Sequence, residues 1–336
     1  MSRSAAPATR AWDTAVELIG VSKTFEQRQH ADGIKGFFTA QKRHVDALRD
    51  VSLRVERGEF TAYAGPNGAG KSTTFKLLCG LLAPDAGQVR LMGRDPMRER
   101  IELMRRVGVL FGGRSELWWD HPVLGSFEWK REVWNIPRAR WEENVRRYVE
   151  LLDLGGCLHT FARELSLGQR MRAELAMLLL HDPDVILLDE PTLGLDVLAK
   201  RRMIECLRTL NREQGVTILV TSHDMDDLTA MAKRLVLLAN GRIAFDGTSA
   251  QLLARTGDRR TLTLTRTGIA PEITQARLIS SEEGRHAYAF SGEHASQVLG
   301  AAAALEGVSD IEMAHAPIEE VIAGLYASWQ KNQNEG

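Results

Sequence analysis

Cysteine is scarce in this chain: Cys79, Cys157 and Cys206 stand far apart in 336 residues. So sparse and odd a set builds neither a disulfide scaffold nor a zinc knuckle, and it fits a reducing compartment. A surplus of charge is missing too. Lys and Arg number 43 against 44 Asp and Glu, a formal net charge of −1. A dedicated nucleic-acid binder carries a basic excess over a whole domain, so no nucleic-acid partner is expected. No run approaches the roughly 18 uninterrupted apolar residues of a membrane-spanning helix. The opening stretch MSRSAAPATRAWDTAVELIG has no apolar core of signal-peptide length, because Trp12 and Asp13 interrupt it. The expectation is a cytoplasmic chain, or one attached to a membrane through something else. Internal repeats and low-complexity tracts are also lacking.

What is present reads as an ordinary globular protein, 44% hydrophobic and 26% charged, long enough for about two domains. Residues 1–13 read as a flexible start and 14–25 as a strand. Two glycines and a basic end make 26–44 look like an insertion, whose Lys35, Gly36, Phe37, Phe38, Lys42, Arg43 and His44 suit a solvated loop or a contact with lipid or protein. Strand-like runs follow at 51–55 and 59–64, a helical pattern at 71–82 and a strand at 88–92. The stretch 96–155 is helix-rich, with Trp141, Val145, Tyr148, Val149 and Leu152 on one helical face. Helices at 167–181 and 197–213 then flank the apolar runs 185–188 and 216–221. These runs do not alternate, which is how strands buried on both faces of a parallel sheet read. From about 257 the texture changes. Alternating runs at 261–266 and 286–291, an Ala-rich helix at 294–305, a strand at 308–314 and an amphipathic helix at 317–329 suggest a small α+β domain over 257–336.

The chemistry begins at Gly65-Pro66-Asn67-Gly68-Ala69-Gly70-Lys71-Ser72-Thr73, a phosphate-binding loop pattern between a strand and a helix. Its glycines let backbone N–H groups curl around an anion, and the helix start adds its positive end. Lys71 then reaches the β- and γ-phosphates, and the Ser72 hydroxyl ligates Mg²⁺. The run Val185-Ile186-Leu187-Leu188-Asp189-Glu190 supplies the complement. A buried strand ends in two carboxylates at the sheet edge where ligands sit in open α/β folds. Asp189 suits the metal, and Glu190 suits a base for the attacking water. His223 ends the next apolar strand, on that same edge. In Leu165-Ser166-Leu167-Gly168-Gln169-Arg170, Ser166 caps a helix whose terminus can meet an anion.

As an ordered set, the phosphate loop, Leu-Ser-Leu-Gly-Gln, Leu-Leu-Asp-Glu-Pro, Gly-Leu-Asp and Ser-His resemble the ATP-binding subunits of ABC transporters over about 14–255. The resemblance implies a P-loop NTPase of ABC type in 14–256, a RecA-like parallel sheet core with an N-terminal antiparallel β-subdomain and a helical subdomain at about 112–170. It implies ATP and Mg²⁺ as cofactors, with Ser72 and Asp189 on the metal and Lys71, Glu190 and His223 in catalysis. Gly65, Pro66, Asn67, Gly68, Ala69, Gly70, Lys71, Ser72 and Thr73 hold phosphate, and Phe25 stacks on adenine. Ser166, Gly168 and Gln169 match the signature motif, with Leu167 where glycine is commoner, and Gly194-Leu195-Asp196 matches the D-loop. In the family these act across a dimer, so a second copy and an integral-membrane permease are the implied partners, with the ATPase on the cytoplasmic face. A soluble ABC protein acting on nucleic acid or ribosomes is the alternative.

Leu117-Trp118-Trp119-Asp120, Ser166-Leu167-Gly168-Gln169-Arg170, the insertion after Phe25 and the ending Pro317-Ile318-Glu319-Glu320 look like ATPases of ABC-2-type exporters, the viologen and daunorubicin branch. One departure stands out. Where the family places a Mg²⁺-ligating glutamine after the strand at 107–111, this chain reads Gly112-Gly113-Arg114-Ser115-Glu116. Glu116 or water is the expected substitute. Trp118, Trp119, Trp129, Trp134 and Trp141 crowd one segment, as a helical core or, for Trp118 and Trp119, as a groove for a permease helix.

Overall fold

The computed structural model describes residues 12–29, 41–112, 115–222, 224–256, 259–282 and 284–315. Strands β1 (Thr14–Gln29) and β2 (Gln41–Glu56) run antiparallel, with Gln27 opposite Arg43 and Gln29 opposite Gln41. The segment 26–44, expected as an insertion, therefore extends this ladder at both of its ends. The residues that break its strand pattern, Gly33 and Gly36, fall in 30–40, outside the described residues together with Lys35, Phe37 and Phe38.

β3 (Phe60–Ala64) is followed by α1 (Lys71–Leu78) and β4 (Ala86–Leu91), and β4 pairs with the free edge of β1 to give the sheet β2-β1-β4. Next come α2 (Arg100–Met104), β5 (Val107–Leu110), α3 (Val123–Trp134), α4 (Arg138–Leu151) and α5 (Leu167–Leu179). The chain then returns through β6 (Val185–Asp189), α6 (Val197–Gln214), β7 (Thr217–Thr221), α7 (Met225–Met231), β8 (Arg234–Ala239) and β9 (Arg242–Thr248). A second sheet results, ordered β5-β6-β7-β3-β8-β9, and parallel from β5 through β8. Every residue of β3, β6 and β7 is buried, as the unbroken apolar runs within β6 and β7 require. Each Val, Ile or Leu so placed contributes about 1.5–3 kcal/mol of burial.

On α4 the buried stripe is Trp141, Asn144 and Tyr148, with Leu152 just past its end, while Val145 and Val149 are only half-buried. The expected apolar face is thus rotated toward a polar residue. Asn144 tolerates burial because its Nδ2 donates to Leu180 O at 3.0 Å and Asp182 Oδ2 at 3.1 Å. The tryptophans divide similarly. Trp141 is buried, but Trp118, Trp119 and Trp129 are 39%, 53% and 36% exposed. Their apolar character says nothing of which side of α3 and the preceding loop meets the core. Cys79, Cys157 and Cys206 are buried and free.

The chain divides into two compact units, Met1–Asp246 and Gly247–Gly336. Helix α8 (Ser249–Thr256) falls with the second unit, whereas the change of sequence texture comes only at 257, where alternation starts. In the second unit, β10 (Arg259–Arg266), β11 (Ala276–Glu282), β12 (Arg285–Ser291) and β13 (Val308–His315) form an antiparallel sheet ordered β11-β12-β10-β13. Helix α9 (Ala295–Ala303) contributes Val298 and Ala302 to its core beside Leu262, Leu264, Tyr288 and Phe290. β11 escaped the sequence reading because nearly all of it is exposed, so no apolar alternation marks it. The flexible start and the expected helix at 317–329 lie outside the described residues, residues 12 and 13 excepted. Among the described residues, no helix is long and apolar enough to cross a membrane.

Candidate active site

Parallel strands bring their carboxyl ends to one sheet edge, and four of them carry the chemistry there. β3 leads into the turn 65–70, β5 toward Gly112, β6 into Glu190 and β7 into Ser222. The turn needs glycine at position 70, where φ is +109° and a Cβ would lie 2.4 Å from Ala47 O. Helix α1 starts directly afterwards, and no side-chain hydrogen bond caps it. Its first N–H groups and the positive helix end are therefore available to an anion.

Lys71 Nζ donates to Gly65 O at 2.6 Å and to Pro66 O at 3.2 Å, and the residue is buried. Burial pulls its pKa down, and the carboxylates of Glu190 and Asp189 push it up. Ser72 Oγ donates to Asp189 Oδ2 at 2.9 Å, and Thr221 Oγ1 donates to Asp189 Oδ1 at 2.7 Å. The same Thr221 hydroxyl accepts the Glu190 N–H at 3.1 Å, and Thr221 O accepts it as well at 3.1 Å. Thr221 therefore fixes both acidic residues. Sequence reasoning assigned it no role; its signal is that, as the last residue of β7, it is the register partner of Asp189. Glu190 itself takes a φ of +57°, a left-handed conformation that costs about 1–2 kcal/mol and that the hydrogen bonds to Thr221 hold.

Ser72 and Asp189 suit Mg²⁺, which takes one or two protein oxygens and completes its shell with water and phosphate. Among the described residues no group of three or more His, Cys, Asp or Glu forms a closed metal cage. The Glu116 carboxylate, expected as a substitute metal oxygen, accepts from Lys130 Nζ of α3 at 2.9 Å instead.

The signature residues form a separate set. Ser166 Oγ accepts the Gln169 N–H at 3.2 Å, and Gln169 Oε1 accepts the Ser166 N–H at 2.9 Å, a closed capping box at the start of α5. Asp196 caps α6 by accepting the Ala199 N–H at 2.8 Å. The two helix starts touch: Leu167 Cδ2 lies 2.7 Å from where a Cβ on Gly194 would stand, at a φ of +71°. Among the described residues, Ser166, Gly168, Gln169 and Asp196 make no hydrogen bond to the turn 65–73. Phe25 is elsewhere again, half-buried on β1 with Lys23 Nζ 5.8 Å from its ring centroid. His223 lies outside the described residues; beside it, Asp224 caps α7 and accepts Lys200 Nζ at 2.7 Å.

A phosphate turn opening a helix, on a parallel sheet whose next strands end in Asp-Glu and Thr-Ser, defines a P-loop ATPase. A profile of the ABC transporter family matches residues 48–193. The chain is 32% identical over 210 residues to the ABC transporter ATP-binding protein NatA of Bacillus subtilis, spanning 62% of this chain and 85% of NatA. It is 29% identical over 254 residues to the methionine import ATP-binding protein MetN of Corynebacterium jeikeium, spanning 74% and 69% respectively. The dimeric post-hydrolysis state of the ATP-binding cassette MJ0796, bound to ADP and Pi, superposes with a TM-score of 0.60 at 24% identity over 69% of this chain and 98% of that one, a likeness of fold. This chain belongs to the family of ABC transporter ATP-binding subunits, and it is an ATPase that uses ATP and Mg²⁺.

Proposed function

We propose that this subunit drives a separate membrane permease in the export of a small molecule, and that a second copy of the chain completes each ATP site. The observation that carries the second part is the exposed start of α5. Leu167 there, with Leu193, Val197 and Leu198 around the start of α6, is 41% to 67% exposed. Apolar side chains left in water next to a capped helix terminus fit a contact with another protein surface. Ser166, Gly168 and Gln169 of one copy then approach the phosphates held over Lys71 of the other.

In this reading the Lys71 ammonium leaves the Gly65 and Pro66 carbonyls for the β- and γ-phosphate oxygens. Ser72 and Asp189 hold Mg²⁺, which offsets phosphate charge when bound. Glu190 accepts the proton of the attacking water, whose oxygen bonds to the γ-phosphorus as the bond to the bridging oxygen breaks and ADP leaves. Thr221 keeps Asp189 turned to the metal. His223 contacts the γ-phosphate and Phe25 the adenine, as in the family the motifs resemble. The first compact unit carries this ATPase, and the C-terminal sheet is an accessory part.

Export is supported by Leu117-Trp118-Trp119-Asp120 and by Leu167 within the signature. Exposed Trp118 and Trp119 also offer aromatic surface to a cytoplasmic helix of the permease, which supports a subunit on the cytoplasmic face. The test is co-purification with the permease from detergent-solubilised membranes, followed by reconstitution in vesicles. ATP added on the subunit's side should drive substrate away from that side; movement toward it overturns export. Turnover of the isolated chain should rise more than linearly with protein concentration, and full turnover at high dilution overturns the shared site.

A further inference from the structure

Helix α5 carries a polar residue that the chemistry above does not use. Glu174 lies about two turns beyond Ser166 on the same helix, and it is only 4% exposed. Burial raises its pKa, and hydrogen bonds from Ser115 and the Glu116 backbone oppose that rise. A buried carboxylate is costly unless its oxygens are matched by donors. Here the donors come from one short turn. Ser115 Oγ donates to Oε1, and the Glu116 N–H donates to Oε2 at 3.0 Å. Ser115 Oγ in turn accepts the Leu117 N–H at 3.2 Å, so the carboxylate and the turn 115–117 form one connected unit.

That turn follows the β5 strand end, where a Cβ on Gly112 would lie 3.3 Å from the backbone O of Asp189. From the other side, buried Lys130 of α3 donates to Glu116 Oε2 at 2.9 Å and lies 4.7 Å over the Trp134 ring. The backbone of the turn is thus pinned to α5, and its acidic side chain to α3. Glu174 hydrogen-bonds the segment after β5 to the helix bearing the signature residues, and Arg170 of the same helix lies over the Trp119 ring, 5.7 Å from its centroid.

We infer that Glu174 is a positioning residue for ATP hydrolysis, tying the turn 115–117 to α5 so that the helix end with Ser166, Gly168 and Gln169 is aligned on nucleotide. The inference rests on the reading that this helix end acts on ATP held by a second copy. A rigid, hydrogen-bonded helix can carry coupling between groups along its length. Displacement of the turn is therefore carried to the capped terminus, without any contact between Glu174 and substrate.

The test uses the full chain, with steady-state ATPase kinetics, binding of a fluorescent ATP analogue at concentrations where the protein is monomeric, and thermal melts. Glu174→Leu should lower kcat about tenfold, the effect of losing hydrogen bonds to a charged group, while analogue affinity stays within about twofold because Lys71, Ser72 and Asp189 are untouched. Glu174→Gln keeps an oxygen for the Glu116 N–H and an amide that donates to Ser115 Oγ. It should hold kcat within about threefold of wild type. Ser115→Ala, a change at an exposed position, should lower kcat by about fivefold with analogue affinity within about twofold of wild type. If Glu174→Leu does not fold, Ser115→Ala decides alone. Wild-type kcat in Ser115→Ala, or a Glu174→Leu variant that loses analogue affinity in step with kcat, overturns the inference. Ser166→Arg separates the two layers. If it too turns over normally, the shared-site reading falls and takes the positioning role of Glu174 with it; if it alone is inactive, only the positioning role falls.

Discussion

In the proposed function the turn 65–72 and the helix start 166–169 both meet phosphate, yet they are finished to different degrees. The first is closed within its own chain. Lys71 is held by two carbonyls, Ser72 by Asp189, and Asp189 by Thr221, with strands buried behind them. The second satisfies only itself, through the reciprocal bonds of Ser166 and Gln169, and faces water beside exposed leucines. The difference teaches which half can act alone. In the proposed function, nucleotide binding needs one chain, and hydrolysis needs a surface that one chain leaves bare.

The largest expected effect sharpens that division. Glu190→Gln should cut turnover by about 10²–10⁴, the usual worth of a general base, while ATP still binds. Removing a negative charge near the γ-phosphate also favours the closed pair. Size-exclusion chromatography with ATP should show a dimer that the wild type does not accumulate; a variant that stays monomeric and hydrolyses normally places the base elsewhere.

Lys71→Ala breaks the closed half directly. Loss of charge-assisted bonds to phosphate should weaken nucleotide binding by about 10–100-fold, at 1.5–3 kcal/mol per bond, measured calorimetrically. Unchanged affinity would remove the turn from the site.

Thr221→Val tests the residue that only the tertiary structure brought forward. The isosteric change strips Asp189 Oδ1 and the Glu190 N–H of a buried partner, at a cost of about 1–3 kcal/mol. Turnover should fall about tenfold, since a tenfold change corresponds to about 1.4 kcal/mol, together with a lower denaturation midpoint. Stability and rate both at wild-type values would sink the role. Smallest is Ser166→Ala in the isolated chain. It should lose about 1 kcal/mol of helix capping and leave nucleotide affinity untouched, because the cap meets no nucleotide of its own chain. A drop in affinity there would mean that the two halves are not separate.

Much of the site was legible because its chemistry is contiguous. Lys71 and Ser72 follow their glycines, Glu190 follows Asp189, and Gln169 stands one helical turn from Ser166, so each unit can be read from neighbours in the chain. The unbroken apolar runs of β6 and β7 likewise announced strands buried on both faces. The ladder at 26–29 and 41–44 was not legible, since Gly33 and Gly36 between its arms interrupt the strand pattern of the sequence. Nor was the role of Glu116, whose partner Lys130 lies on α3.

The sequence alone determined the catalytic vocabulary and the order in which it appears, because backbone geometry confines each motif to a few adjacent residues. Only the tertiary structure decided which polar groups become partners across strands and helices: Thr221 with Asp189, Glu174 with Ser115, Asn144 with Leu180. It also decided which tryptophans face water. Those outcomes depend on strand register and helix rotation, which long-range packing sets.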